Sequence, residues 1–329
     1  MEPIARGWLL WRPDPGLVKQ ESYEIDRLVE AAPVHGYEVE VVDPDKIELV
    51  VNSEGKASLV RDGEYVDPPD FAVPRMGSMT DYFTLSVIRQ LESVGVLMVN
   101  GSSAVANAQD KLYHLQLLAK EGVPIPKTML VRFPVNADFV ERELGFPIVV
   151  KTLVGTQGSG VTLCDTKSQL VDLLQFVEAN NPKAQLVLQQ FLAESKGRDV
   201  RVVAIGGQIV AAMERRAQSG FKSNYSQGGT AVPFETGPKN ALGVASICRI
   251  LGMEMVGIDL LYDDEVGMRI CEVNSSPGFE GLEKTCGVDV PMALYRYLDI
   301  RYRISNKAKA RMLGKDLEEV SRMYWPRPE

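Results

Sequence analysis

The chain has 329 residues, of which 45% are hydrophobic and 24% charged, with a net charge of −8 at neutral pH. That length accommodates more than one domain and a large core, and the composition is ordinary for a soluble globular protein. The acidic balance argues against a nucleic-acid binder, and no apolar run approaches the length needed to span a membrane.

Cys164, Cys248, Cys271 and Cys286 show no Cys-x-x-Cys spacing, so neither a zinc ribbon nor a disulfide framework is indicated. His35 and His114 are isolated, which disfavours histidine-based hydrolysis or zinc chemistry. The apolar run in MEPIARGWLLWRPDPG is too short for a signal peptide and is broken by charge and proline. A cytoplasmic protein with reduced thiols is expected.

Residues 5–99 read as alternating strands and helices. Strands are expected at Gly7–Trp11, Tyr37–Val42, Phe71–Pro74 and Val96–Val99, with a hairpin from Lys46–Val51 to Ala57–Val60. Helices are expected at Tyr23–Ala32, where Ile25, Leu28 and Val29 fall at i, i+3 and i+4, and at Thr84–Glu92. This is an α/β unit with a small, mostly parallel sheet and no dinucleotide fingerprint. Arg75 follows the Phe71–Pro74 strand, and by position alone it is a surface residue or a ligand-facing one.

Ser102 to Gly122 carries a helical pair in which Asp110 caps a helix bearing Leu112, Leu115 and Leu118. Lys111 then sits in the first turn, where a cation is unfavourable for the helix dipole unless an anion lies nearby. PIVVKTLVGTQGSGVTLC reads as two strands joined by a glycine loop containing Gly155, Gly158 and Gly160. No Lys-Ser/Thr follows the glycines, so it is not a Walker A loop. It is either a plain hairpin tip or a flap whose backbone N–H groups close over phosphates beside Lys151. Thr166 and Gln169 mark the start of an amphipathic helix, and Leu186–Leu192 forms a strand. Arg198–Arg216 is a hairpin turning at Gly206-Gly207, with Asp199 and Arg201 on one face. The two make either an internal salt bridge or contacts to a ribose hydroxyl and a phosphoryl group.

The densest stretch is VGIDLLYDDEVGMRICEVNSSPGFEGLEK, residues 256–284. It reads as a hairpin and loop. A four-residue turn pairing Asp263 with Met268 would set Asp259 opposite Glu272, with Asn274 beside it. This is either a solvated strand face with scattered acids or a site in which two carboxylates and an amide oxygen hold a cation between them, for which hard oxygen ligands suit Mg²⁺. Asn240–Leu251 and Val290–Ile300 are the last expected helices. The tail from Arg301 to Lys315 carries Arg301, Arg303, Lys307, Lys309, Arg311 and Lys315 and no acid.

The segment GIDLLYD…RICEVNSSPGFEGLEK resembles the metal-binding end of the ATP-grasp ligases, in particular the RimK-type amino-acid (glutamate) ligases, and the resemblance covers about residues 6–300. It implies an α/β chain of α+β subdomains in an ATP-grasp fold. An N-terminal pre-grasp domain would occupy 1–101, a flap-bearing subdomain 102–192, a metal-bearing subdomain 193–300 and a basic tail 301–329. The metal set implied is Asp259, Glu272 and Asn274, holding two Mg²⁺ or Mn²⁺ ions. ATP would be bound by Lys111, Lys151, the glycines Gly155, Gly158 and Gly160, a hinge at Gln190-Phe191, Asp199 and Asn224. Gln190 departs from the glutamate common in that family. Arg201, Arg215 and Asn274 would act in catalysis, and Arg75, Arg215, Ser223, Asn224 and Ser276 would face the substrate. The loop holding Ser223 and Asn224 is one residue shorter than the family's, and Lys222 replaces a frequent arginine.

The activity implied is an ADP-forming carboxylate–amine ligation through an acyl phosphate, with an amino acid, a peptide or small acidic acceptor, and a homo-oligomeric enzyme. Two rivals remain: a ligase acting on a different carboxylate, and a non-catalytic ATP-binding regulator, for which a broken metal set would be expected.

Overall fold

The computed structural model describes residues 5–13, 22–52, 58–152, 160–218, 220 and 229–312. Its first unit contains β1 (Ala5–Leu10), α1 (Ser22–Ala31), β2 (Tyr37–Val42), β3 (Glu48–Val50), β4 (Ser58–Arg61), β5 (Glu64–Val66), β6 (Phe71–Pro74), α2 (Tyr82–Ser93) and β7 (Leu97–Met98). The apolar run of β1 is central, and the sheet has the order β2-β1-β6-β7 with every pairing parallel. Gly7 permits this packing, because a Cβ there would lie 2.1 Å from the Phe71 ring. The separate small sheet β3-β4-β5 extends the expected hairpin by one strand.

The chain continues through α3 (Ser102–Gln109), α4 (Tyr113–Lys120), β8 (Thr128–Arg132), α5 (Ala137–Leu144), β9 (Ile148–Thr152), β10 (Val161–Cys164), α6 (Lys167–Asn180) and β11 (Gln185–Gln190). The strands form an antiparallel sheet, β10-β9-β11-β8, whose face is filled by Val140, Ile148, Leu170 and Leu188. Thr166 accepts from the Gln169 N–H at 3.3 Å, so α6 begins where the capping pattern places it.

The last unit holds β12 (Arg198–Ile205), β13 (Gln208–Arg216), β14 (Thr230–Pro233), α7 (Pro238–Leu251), β15 (Met255–Asp263), β16 (Gly267–Asn274), α8 (Glu280–Cys286) and α9 (Val290–Met312). Its five strands run β14-β13-β12-β15-β16, all antiparallel. Gly206 and Gly207 both have positive φ, as a two-residue hairpin turn requires.

Cores show which parts move together. Leu9, Phe71 and Val99 of the first unit pack in one cluster with Val203, Met255, Phe279 and Tyr295 of the last. Ala104 and Leu118, from α3 and α4, pack onto the last sheet with Val202, Ile258 and Val273. The middle sheet keeps its own core. The first and last sheets are therefore fused through shared apolar burial, and the middle sheet meets the last where Lys151 Nζ and Gln189 Oε1 each stand 3.6 Å from Cys271 Sγ. None of the described helices is long and apolar enough to cross a membrane.

Candidate active site

Hairpin β15–β16 brings Asp259 opposite Glu272 and Gly257 opposite Asn274. The expected pairing is present, but its route differs. Asp263 pairs with Gly267, not Met268, and a bulge next to Asp259 absorbs Cys271 and restores the register. The turn is tighter because Asp263 Oδ1 accepts from the N–H groups of Glu265 (3.1 Å) and Val266 (3.0 Å), while Gly267 takes φ +84°.

A ladder of charge crosses the sheet on this face. Arg201 pairs across strands with Asp259, and Asp199 with Arg215. Arg201 grips Asp259 with both Nε and Nη2, the latter at 2.8 Å, and Arg215 Nη2 reaches the same carboxylate at 3.0 Å. Arg215 also holds Asp199 through two bonds. Asp199 and Arg201 do not bridge each other directly; each takes a partner from the neighbouring strand. Burial works to raise the proton affinity of Asp259, but Arg201 and Arg215 outweigh it and hold the carboxyl well below the usual range. Burial dominates at Asp199 and raises its proton affinity, with the Asp259 charge adding to the effect against Arg215.

Glu272 and Asn274 are half-buried and make no side-chain hydrogen bond or ion pair among the described residues. The cation expected beside Asp259 is, in the folded chain itself, arginine. Glu272 and Asn274 remain as oxygen-bearing side chains on the same face, of the hard kind that magnesium takes, whereas both oxygens of Asp259 are engaged by Arg201 and Arg215. Among the described residues no group of three histidine, cysteine or acidic side chains gathers as a metal cluster.

On the middle sheet, Lys151 at the end of β9 donates to Gln189 Oε1 at 2.8 Å and stands 3.6 Å from Cys271 Sγ of β16. Lys111 lies in the turn before α4, not inside its first turn. Asp110 Oδ1 caps the helix by accepting from Leu112 and Tyr113, and Lys111 Nζ donates to Thr152 O at 3.2 Å. Burial lowers the Lys111 pKa, Glu272 opposes that, and Lys151 reinforces it. The two lysines and the Glu272 carboxylate therefore share one electrostatic neighbourhood. Gly160 has φ +74°, and a Cβ there would meet Thr152 Oγ1 at 2.2 Å. At the strand's end, Gln190 Oε1 accepts from the Lys127 N–H at 3.3 Å and the Gln190 N–H donates to Lys127 O at 2.9 Å. Half-buried Phe191 follows. Gly155, Gly158, Ser223 and Asn224 lie outside the described residues.

Comparison with known proteins now bears on this geometry. Residues 108–298 match the RimK-like ATP-grasp domain and residues 17–105 the RimK pre-ATP-grasp domain. The chain belongs to the RimK-like ATP-grasp family. A probable alpha-L-glutamate ligase of Maridesulfovibrio salexigens is 35% identical over 283 residues, covering 85% of this chain and 93% of the relative. Another, of Thioalkalivibrio sulfidiphilus, is 37% identical over 279 residues, covering 84% and 91%. The ATP-grasp ligase PsnB, solved with a phosphomimetic variant of its minimal precursor, Mg and ADP, superposes with TM-score 0.68 at 20% identity over 90% of this chain and 97% of its own. D-alanine–D-alanine ligase of Bacillus anthracis, solved with ATP, gives TM-score 0.64 at 18% identity over 94% and 99%. The RimK-like chain is thus an ATP-dependent ligase of the amide-forming kind, in the ATP-grasp fold with an N-terminal pre-grasp domain.

Residues from the pre-grasp part of this RimK-like chain hold the loop after β16. Arg75 is buried, donates from Nη2 to Pro277 O at 2.8 Å and lies over the Phe279 ring at 5.7 Å. Ser276 abuts the same segment, 3.9 Å from where a Gly77 Cβ would stand. Glu24 Oε1 accepts from the N–H groups of Phe279 (2.8 Å) and Glu280 (3.1 Å), which caps α8. Sequence reading missed Glu24, Asn100 and Gln189. A second glutamine inside the apolar run LVLQQFL was a visible signal for Gln189, whereas the partners of Glu24 and Asn100 lie too far along the chain to be read locally.

Proposed function

We propose that the enzyme joins an amino acid, glutamate first, to the carboxylate of a peptide or small acidic acceptor, and that it works as a cytoplasmic homo-oligomer. The observation that carries the reading is that Lys111 and Lys151 share one electrostatic neighbourhood with Glu272, which lies opposite Asp259 in the β15–β16 hairpin. That arrangement suits a nucleotide triphosphate whose charge must be neutralised from both walls. The names of the curated relatives support glutamate, and the peptide-bound PsnB neighbour supports a peptide acceptor.

In this reading the lysines orient the phosphates from one wall, and Glu272, Asn274 and Asp259 would hold magnesium on the other. The metal, as one ion or two, would supply charge neutralisation at the transferring phosphoryl group. The acceptor carboxylate takes the γ-phosphoryl group, because oxide is too poor a leaving group for direct amide formation. The amine then attacks the acyl phosphate and phosphate leaves. Arg201 and Arg215 would stabilise developing negative charge, with Asp259 and Asp199 fixing their direction. No protein nucleophile is required. The hinge at Gln190-Phe191 with Asp199 and Asn224 would contact the nucleoside, and Gly155, Gly158 and Gly160 would let the flap approach phosphate. Ser223, Ser276, Asn224 and Arg75 would line the acceptor side. The division at residues 101, 192 and 300 belongs to the same proposal.

Charge at the pocket needs restating against the structure. Arg215 is matched by Asp199 and Asp259, and Arg216 by Glu214. Arg75 is committed in part to a carbonyl. These arginines are positioned groups more than free charge, so the preference for an acidic amino acid rests mainly on the relatives. The experiment is incubation of purified protein with ATP, magnesium, single amino acids and a fixed acceptor mixture, read by ADP release and product mass. Glutamate-dependent ADP and an amide of matching mass are expected. ADP release with neutral or basic amino acids only would overturn the glutamate reading and leave the ligase class standing.

A further inference from the structure

Gln189 is almost fully buried, 2% exposed, on the strand that leads to the nucleotide hinge. It lies diagonal to Lys151, whose direct cross-strand partner is Val187, so both side chains rise from the same face of β9 and β11. A buried amide in an apolar strand needs its donors and acceptor used, and the structure shows how.

The orientation of the amide follows from its neighbours. The Thr128 hydroxyl donates to Pro126 O at 2.8 Å, so its proton is spent. Thr128 Oγ1 can then only accept, and it does so from Gln189 Nε2 at 2.9 Å. That fixes the other end: Gln189 Oε1 faces the Lys151 ammonium at 2.8 Å. Polarity runs one way along the chain, from Lys151 through Gln189 and Thr128 to the Pro126 carbonyl.

An ammonium has three N–H donors. One is held by Gln189 and a second direction is occupied by Cys271 Sγ at 3.6 Å, and among the described residues the third has no partner, which leaves it for a ligand. The neutrality of the acceptor matters. A carboxylate at this position would aim the lysine equally well but would cancel its charge; an apolar side chain would spare the charge and lose the aim.

We propose that Gln189 is a positioning residue for Lys151, a neutral acceptor that directs the ammonium at the nucleotide phosphates without neutralising it. The proposal rests on the reading of Lys151 as a phosphate ligand.

The test is a set of double-mutant cycles on the full chain, read by calorimetric binding of Mg–ADP and by the KM for ATP, with melting temperature recorded for each variant. Gln189→Leu should weaken ADP binding about tenfold, the scale of one charge-assisted hydrogen bond. Gln189→Glu should weaken it more, because the lysine charge is then paired. Both effects should vanish in the Lys151→Met background, which a merely structural role for Gln189 would not predict. Thr128→Val keeps Gln189 in place and frees its amide to turn, so it gives a smaller loss of the same kind if Gln189→Leu fails to fold. Losses that persist undiminished beside Lys151→Met, or their absence while Lys151→Met alone weakens ADP, would overturn the proposal. Unchanged ADP affinity in Lys151→Met would instead remove the phosphate-ligand reading and the proposal with it.

Discussion

Asn100 and Ser275 are joined by a hydrogen bond of 2.8 Å although 175 residues separate them. The same Asn100 amide donates to Met255 O at 2.7 Å and accepts from the N–H groups of Glu254 (2.7 Å) and Met255 (2.9 Å). One fully buried side chain therefore ties the start of β15, which carries Asp259, to the residue after Asn274. Backbone groups at the end of the hairpin, where the ladder stops, are satisfied by a side chain from the other end of the fold.

Replacing Asn100 should consequently cost more than its size suggests. Asn100→Ala leaves buried backbone donors and acceptors unpaired, and a loss of about 3 kcal/mol or more is expected. Asn100→Asp keeps the two acceptor contacts but turns an oxygen onto the carbonyls of Met255 and Ser275. Burial and those carbonyls would raise the pKa of the new carboxyl, so its stability contribution is present when protonated and lost as pH rises through that value. Thermal melts should show Asn100→Asp less impaired at pH 5 than at pH 7. Equal impairment at both would contradict the arrangement.

His114 supplies a second pH dependence of opposite sign. It is 1% exposed, Nδ1 lies 2.8 Å from Asp110 O, and Nε2 has no hydrogen-bond partner among the described residues. Burial pushes its pKa down from 6.5 to about 4, opposed by the Asp110 carbonyl and helped by Lys151. With the folded value below the unfolded one, the contribution is complete above pH 6.5 and is lost as pH falls towards 4. The expected loss between pH 7 and pH 5 is about 2 kcal/mol from this group. Urea unfolding at the two pH values should show it, and His114→Leu should flatten the difference by a similar amount.

How much of this was legible beforehand differs by element. The order of strands and helices, Asp259 opposite Glu272, and Asp199 with Arg201 on one face all follow from alternation and turn residues. The hairpin arithmetic reached the right pair through a turn one residue too long, because it could not register both the Asp263 turn and the bulge at Cys271. These two departures cancel. β8, α5, β14 and α8 carried no expectation: each is short, and β8 and β14 lack a strongly buried face. Arg75 shows the harder limit. Position after a strand allowed a surface or a ligand-facing role, while its burial against Pro277 and Phe279 depends on partners some 200 residues away, as the separation of 202 for Pro277 records.

The Asp199–Arg215 pair gives a prediction that separates structure from ligand contact. Both side chains are buried; removing Arg215 strands the Asp199 carboxylate, while removing Asp199 leaves Arg215 with Asp259 as its partner. Arg215→Met should destabilise the protein by about 3 kcal/mol and Asp199→Leu by less, because Asp259 still pairs Arg215. The double variant should melt above Arg215→Met, since the Asp199 charge is then no longer stranded. Additive losses would show that the pair is not coupled.

Glu272 offers the reverse test, because nothing described in the fold depends on it. It is half-buried, makes no side-chain bond among the described residues, and faces Asp259 across the hairpin. Glu272→Ala should leave the melting temperature without added metal unchanged or slightly raised, since a neighbouring like charge is removed. Magnesium with ADP should stabilise the wild-type protein in proportion to its binding, and that increment should shrink in the variant. Removal of one oxygen ligand from a phosphoryl-transfer site is expected to cost on the order of 10²-fold or more in turnover. Glu272→Gln, which keeps one oxygen donor without the charge, should fall between. A folded Glu272→Ala protein that releases ADP at close to the wild-type rate, with the same magnesium dependence, would remove Glu272 from the metal set and with it the proposed facing of metal and lysines.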